Sequence, residues 1–171
     1  MVSCTDVLSW QEDVDAKTDT ALKRWYDIVV QFPAVSDTVR QLGLIDNLAE
    51  QLKMLRDVMA GKSPLTLIKR ANSLLRYVEF LRENGVKVPG SEPWFYKFIC
   101  DQRADGAPAS RLQSTIESIR FTEHTFGIAS LCDNLLSKRC LGAARLVQSG
   151  EKRQASPLTV DNSSNCIDTL G

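Results

Sequence analysis

Apolar residues recur along this chain at intervals of three and four, the spacing that lines one face of an α-helix, and glycine or proline punctuates the stretches. The clearest punctuation falls in residues 63 to 126. Ser63 followed by Pro64 predicts a helix start, since a serine hydroxyl caps the free N–H groups and a proline at the first helical position loses nothing by lacking its own. Leu67, Ala71, Leu74, Val78 and Leu81 then form one stripe, widened by Ile68 and Leu75, and Asn84-Gly85 supplies the stop. A second helix is predicted from Ser91 to near Asp105-Gly106, with Trp94, Phe95, Phe98 and Ile99 as core aromatics and aliphatics. A third follows Pro108, with Ser110 as a candidate cap, and sets Leu112, Ile116, Ile119 and Phe126 on one face before Gly127.

The flanks read less regularly. Residues 1 to 17 are polar and acidic and predict a loose lead-in, with Val7, Leu8 and Trp10 as a short apolar patch able to dock. From Thr18 or Thr20, the series Leu22, Trp25, Ile28, Val29 and Phe32 predicts a helix that Pro33 ends. A helical turn from Ser36 stops at Gly43, and Ile45, Leu48, Leu52, Leu55 and Met59 form a stripe closed by Gly61. That stripe spans two heptads where a coiled coil usually needs three or four, so packing on neighbouring helices is the expectation. After Gly127, Ile128, Leu131, Leu135, Leu136 and Leu141 predict a fourth middle helix ending around Gly142, and residues from about 147 to 171 have the composition of a linker or disordered tail. The expected fold class is all-α.

Composition narrows the class further. At 171 residues with 43% hydrophobic content, the chain holds enough apolar material for one real core, and no apolar run reaches the roughly 20 residues that span a bilayer. The first residues lack a charged start followed by an apolar core, so the expectation is an intracellular protein that is not secreted. Five cysteines, Cys4, Cys100, Cys132, Cys140 and Cys166, contain no C-x-x-C pair and are odd in number, which speaks for reduced thiols over a disulfide framework or zinc site. Net charge is zero, yet it is segregated: residues 1 to 61 hold six Lys/Arg against ten Asp/Glu, net −4, and residues 62 to 153 hold fifteen against nine, net +6.

Catalytic chemistry is hard to place. Nucleophilic catalysis needs a base within hydrogen-bond reach of its Ser or Cys, and the single histidine, His124, lies off the apolar stripe of its helix, where a solvated or partly packed residue is the expectation. No phosphate-binding glycine loop and no acidic run with metal-ligand spacing is present, so neither a cofactor nor a small-molecule substrate is expected. The cations say more. Lys62, Lys69 and Arg76 are seven apart, which places them within roughly 40° of one another around a helix and opposite Leu67, Leu74 and Val78. Arg111 and Arg120 accompany Gln113, Ser114 and Ser118, groups able to reach phosphates or base edges, and Lys138-Arg139, Arg145 and Lys152-Arg153 add charge toward the tail. Spacing alone does not choose between a DNA-facing surface and ordinary solubilising charge.

A resemblance does favour one side. The run Leu67-Ile68-Lys69-Arg70-Ala71-Asn72-Ser73-Leu74-Leu75-Arg76-Tyr77, then Pro93-Trp94-Phe95-Tyr96-Lys97-Phe98, then Gly106-Ala107-Pro108-Ala109-Ser110-Arg111-Leu112, resembles the core-binding domain of tyrosine recombinases, the phage-integrase-like family, and especially the divergent versions in eukaryotic mobile elements. Lys152-Arg153-Gln154-Ala155-Ser156-Pro157-Leu158-Thr159-Val160 is similar to that family's linker and the start of its catalytic domain. The resemblance implies a SAM-like four-helix module over residues 62 to 146, an acidic helical N-terminal extension over 1 to 61, and a linker or vestigial start of a catalytic domain over 147 to 171. It implies double-stranded DNA as partner, other recombinase protomers as further partners, and a nuclear location if the host is eukaryotic. DNA contacts would come from Lys62, Lys69, Arg70, Arg76, Arg111, Arg120, Lys138 and Arg139. The family's catalytic arginines, lysine, histidine and tyrosine have no counterpart here, since Tyr26, Tyr77 and Tyr96 all precede the linker, so recombination chemistry is not expected of this chain and no catalytic residue is assigned. The competing expectation is a helical protein-interaction module built on the stripe Ile45, Leu48, Leu52, Leu55 and Met59 or on Trp94 and Phe95, with the basic residues merely solvated.

Overall fold

Eight helices follow one another in the computed structural model, which describes residues 4–33 and 36–155; among these the backbone between the helices is turn, bend or irregular and holds no strand. They are α1 (Cys4–Val29), α2 (Asp37–Gly43), α3 (Leu48–Val58), α4 (Pro64–Glu83), α5 (Glu92–Ala104), α6 (Ala109–Phe126), α7 (Leu131–Leu135) and α8 (Lys138–Ala155).

The punctuation works as its chemistry requires. Ser63 Oγ accepts from the Thr66 N–H at the start of α4, Ser36 Oγ caps α2 through the Val39 N–H, and Gly127 ends α6 in the left-handed conformation at φ 64°. Gly90 is demanded by space as well as by its φ of 75°: a Cβ there would lie 2.8 Å from the Tyr77 hydroxyl and 2.9 Å from a Leu81 methyl.

Three expectations are corrected. The acidic lead-in is helical from Cys4 onward, because no glycine or proline interrupts residues 4 to 29 and pairs one turn apart, such as Lys17 with Asp13 at 2.6 Å, stabilise the polar stretch as helix. Gly142 does not end a helix. It sits inside α8, where Leu141, Ala143 and Ala144 offset its weak propensity, and the helix runs on to Ala155, so the first residues of the expected linker have helical backbone. Finally, the fourth middle helix is two: α7 closes at Leu135, and Ser137 restarts the chain by accepting the Cys140 N–H at 3.1 Å. The remainder of the expected tail, from residue 156, lies outside the described residues.

One core cluster spans both sides of residue 61. Ala21, Leu22, Trp25, Ile28 and Val29 of α1 are buried together with Leu67, Ala71 and Leu74 of α4 and with Ile116, Ile119 and Phe126 of α6. The stretch expected as an extension therefore contributes core residues of its own. Trp25 is the keystone: it is fully buried, its ring lies 5.2 Å from Phe121 and 5.4 Å from Phe126, and its indole N–H donates to the Leu67 carbonyl at 2.9 Å. These contacts set α4 beside α6 with α1 behind them. A second aromatic cluster, Tyr77, Phe80, Phe95 and Phe98, joins α5 to α4, and the buried Tyr77 hydroxyl donates to the Pro89 carbonyl at 2.8 Å.

Candidate nucleic-acid interface

Between α4 and α6 the fold leaves an open groove of about 480 Å³, lined by Leu65, Ile68, Lys69, Asn72, Ser73 and Arg76 from α4 and by Pro108, Ser110, Arg111 and Ser114 from α6 and its entry. Two helix periodicities produce it. The stripe of Leu67, Ala71, Leu74 and Val78 turns inward, which leaves Lys69 and Arg76, two turns apart, on the outer side of α4. On α6, Leu112, Ile116 and Ile119 are buried, and Arg111 and Ser114 come round to the flank that meets α4. Three cations, two hydroxyls of α6 and one amide thus share a concavity whose lining contains no carboxylate.

α1 contributes to the same place. Arg24 donates to the side-chain oxygen of Asn72, which holds that amide at the groove's edge and brings a fourth cation alongside. Periodicity did not point to Arg24 or Asn72, because their pairing joins residues 48 apart in sequence. A polar residue midway between Lys69 and Arg76 was the only available signal for Asn72.

The other expected contacts are placed elsewhere. Lys62 precedes the cap Ser63, so the sevenfold spacing does not put it on the α4 face; it lines a separate hollow with Arg56, Asp57 and Val14. Arg70 points along the α4/α6 seam into an ion pair with Glu117 at 2.5 Å, and Gln113 donates to the same carboxylate. Those bonds, Arg70's first, hold the Glu117 carboxyl below its usual range. Arg120 sits on the far flank of α6 in a smaller pocket with Gln113 and Arg145 of α8, away from Arg111. Ser118 is buried and donates to the Ser114 carbonyl at 2.8 Å, which removes it from any groove. His124 is exposed on α6.

Lys138 and Arg139 open α8. Lys138 is exposed, whereas Arg139 is committed: its Nε and a terminal nitrogen donate to the two oxygens of Glu92 at 3.0 and 2.6 Å, and its guanidinium lies 4.2 Å from the Tyr96 ring centre. Ser137 donates to Glu92 at 2.7 Å as well. Arg139 first and then Ser137 lower the Glu92 carboxyl to about 2. This cluster clasps the start of α8 to the start of α5.

Among the described residues no group of His, Cys, Asp and Glu has the arrangement to hold a metal, and no helix is long and apolar enough to cross a membrane. Cys100, Cys132 and Cys140 are free thiols; burial first, then a hydrogen bond to Glu123, pushes Cys132 up to about 11, and burial raises the Cys140 thiol also. Neither is primed as a nucleophile. Comparison of the chain with family models, with curated proteins and with solved structures returns no match.

Proposed function

We propose that this chain binds duplex DNA as a module of the tyrosine-recombinase core-binding kind, with the groove between α4 and α6 seated on the phosphate backbone. The observation that carries the reading is the gathering of Lys69, Arg76 and Arg111 in a concavity without a lining carboxylate. None of the three cations is held in a salt bridge that it must give up before meeting phosphate, although Lys69 feels the charge of Glu117 across the seam, and Ser110, Ser114 and Asn72 add neutral donors suited to backbone oxygens. In this reading α4, α5, α6 and the α7–α8 pair are the SAM-like helices, and a nuclear location in a eukaryote goes with the role.

Strand cleavage is not assigned to it. Tyr77 is buried with its hydroxyl engaged and its ionisation pushed above the usual tyrosine range by burial, and Tyr96 lies under Arg139. The rival protein-interaction reading keeps a smaller surface: Phe95, Leu55 and Met59 are buried and Ile45 stands outside α3, while Leu48 is 54% exposed and Leu52 and Trp94 are half-buried.

Fluorescence anisotropy with a labelled duplex tests the proposal. Binding is expected at 50 mM salt and should weaken on the order of a hundredfold by 200 mM if about four phosphates are contacted. Lys69→Glu with Arg76→Glu should weaken it by about tenfold or more at low salt. No binding at low salt, or binding indifferent to the double reversal, overturns the reading.

A further inference from the structure

The stripe that buries α1 does not stop where the bundle stops. Val7, Val14, Ala21 and Ile28 stand seven apart, so the line occupied by the buried Ala21 and Ile28 continues toward the N-terminus through Val14 and Val7, with Trp10 one turn from each. Val14 is half-buried and lines one hollow with the turn between α3 and α4. Beyond it, residues 6 to 13 are all exposed, and Val7, Leu8 and Trp10 keep 53%, 61% and 64% of their surface in solvent. About 15 Å of amphipathic helix therefore projects past its own core with an apolar face uncovered.

Its flanks are acidic. Glu12 and Asp15 are exposed there, and Asp13 is offset by Lys17. The arm does not cover the basic groove of its own chain, because Leu65, Lys69 and Arg76 are exposed while the arm is exposed too. The groove has the complementary character: an exposed apolar lip, Leu65, which is 63% accessible, beside cations without a lining carboxylate.

We propose that the α1 arm of one copy docks in the α4/α6 groove of a second copy, and that the exchange is reciprocal, giving a closed dimer. Val7 and Trp10 pack on the Leu65 side, and Glu12 and Asp15 meet Lys69, Arg76 and Arg111. Reciprocity follows from symmetry: each copy carries one arm and one groove, and exchange within a pair closes the assembly where a one-way contact would propagate a chain of copies. The inference rests on the groove's charge and shape and does not require that DNA bind there.

Sedimentation equilibrium of the full chain without DNA tests it. A monomer–dimer equilibrium is expected that weakens with salt, and both Val7→Glu with Trp10→Glu and Lys69→Glu with Arg76→Glu should weaken it by about tenfold or more. Glu12→Lys with Asp15→Lys should fail to dimerise alone yet form heterodimers when mixed with the Lys69→Glu, Arg76→Glu chain. A chain that stays monomeric at every concentration overturns the proposal. So does a dimer lost in the arm variant and untouched in the groove variant, which would mean that two arms pair with each other. Circular dichroism melts of each variant separate lost docking from lost folding; these positions are exposed, so unchanged melts are expected. Because no DNA is present, failure here and failure of DNA binding are read independently.

Discussion

The groove between α4 and α6 and the clasp between α5 and α8 are both built around cations from the basic part of the chain, and they use them in opposite ways. In the groove, Lys69, Arg76 and Arg111 line a concavity that no carboxylate shares. In the clasp, Arg139 spends its guanidinium on Glu92 and the Tyr96 ring, and Arg70 at the α4/α6 seam is similarly spent on Glu117. A positive charge is thus available to a partner only where packing has not already given it one. Paired cations hold helices in register, and the unpaired ones are what a polyanion or an acidic helix can meet.

The largest expected effect removes the support common to both regions. Trp25→Ala deletes a fully buried ring that touches α6 and hydrogen-bonds to α4, and should cost about 3–5 kcal/mol of stability in urea unfolding. A loss below about 1 kcal/mol would mean that α1 is not integral to the core.

Next comes a double dissociation. Lys69→Glu with Arg76→Glu should abolish most DNA affinity and leave the melting temperature unchanged. Arg139→Ala should leave DNA affinity within about twofold and lower the melting temperature by about 2–4 °C, through loss of the hydrogen bonds to Glu92. If Arg139→Ala weakens DNA binding as much as the groove variant, the division between spent and available cations fails.

The smallest effect is on pH. Glu92, lowered to about 2, and Glu117, lowered as well, are held ionised by partners that the unfolded chain lacks. Their contribution is complete above the ordinary carboxylate value of 4.5, and it should fade as pH falls from there toward 2. Glu92→Gln should flatten that part of the stability profile. Identical profiles for the wild type and the variant would show that the clasp adds nothing.

Much of the fold was legible. Serine caps located α2 and α4, and terminal glycines with three-four stripes located α5 and α6, to within a residue or two, since those signals act within a single turn; Ser110 is not the cap expected of it, because α6 already begins at Ala109, and Ser91 makes no side-chain cap bond. The misses share a cause. Residues 4 to 17 look like a loop by polarity, yet nothing in them breaks a helix, and Gly142 looks like a stop, yet the alanines and leucine around it carry the helix through. Lys62 shows the same limit for the site: its sevenfold spacing from Lys69 is real in the sequence, but the helix begins after it.

By itself the sequence determined that this chain is helical, where most of its turns fall, and that its acidic and basic charges are segregated, because periodicity, capping and charge count are local properties of neighbouring residues. Only the tertiary structure decided which cations stay available. The partners that neutralise Arg70 and Arg139 each stand 47 residues away, and the Asn72 that Arg24 engages is 48 away. Pairing at that range depends on the angle at which packed helices bring their sides together, and helix period carries no record of that angle.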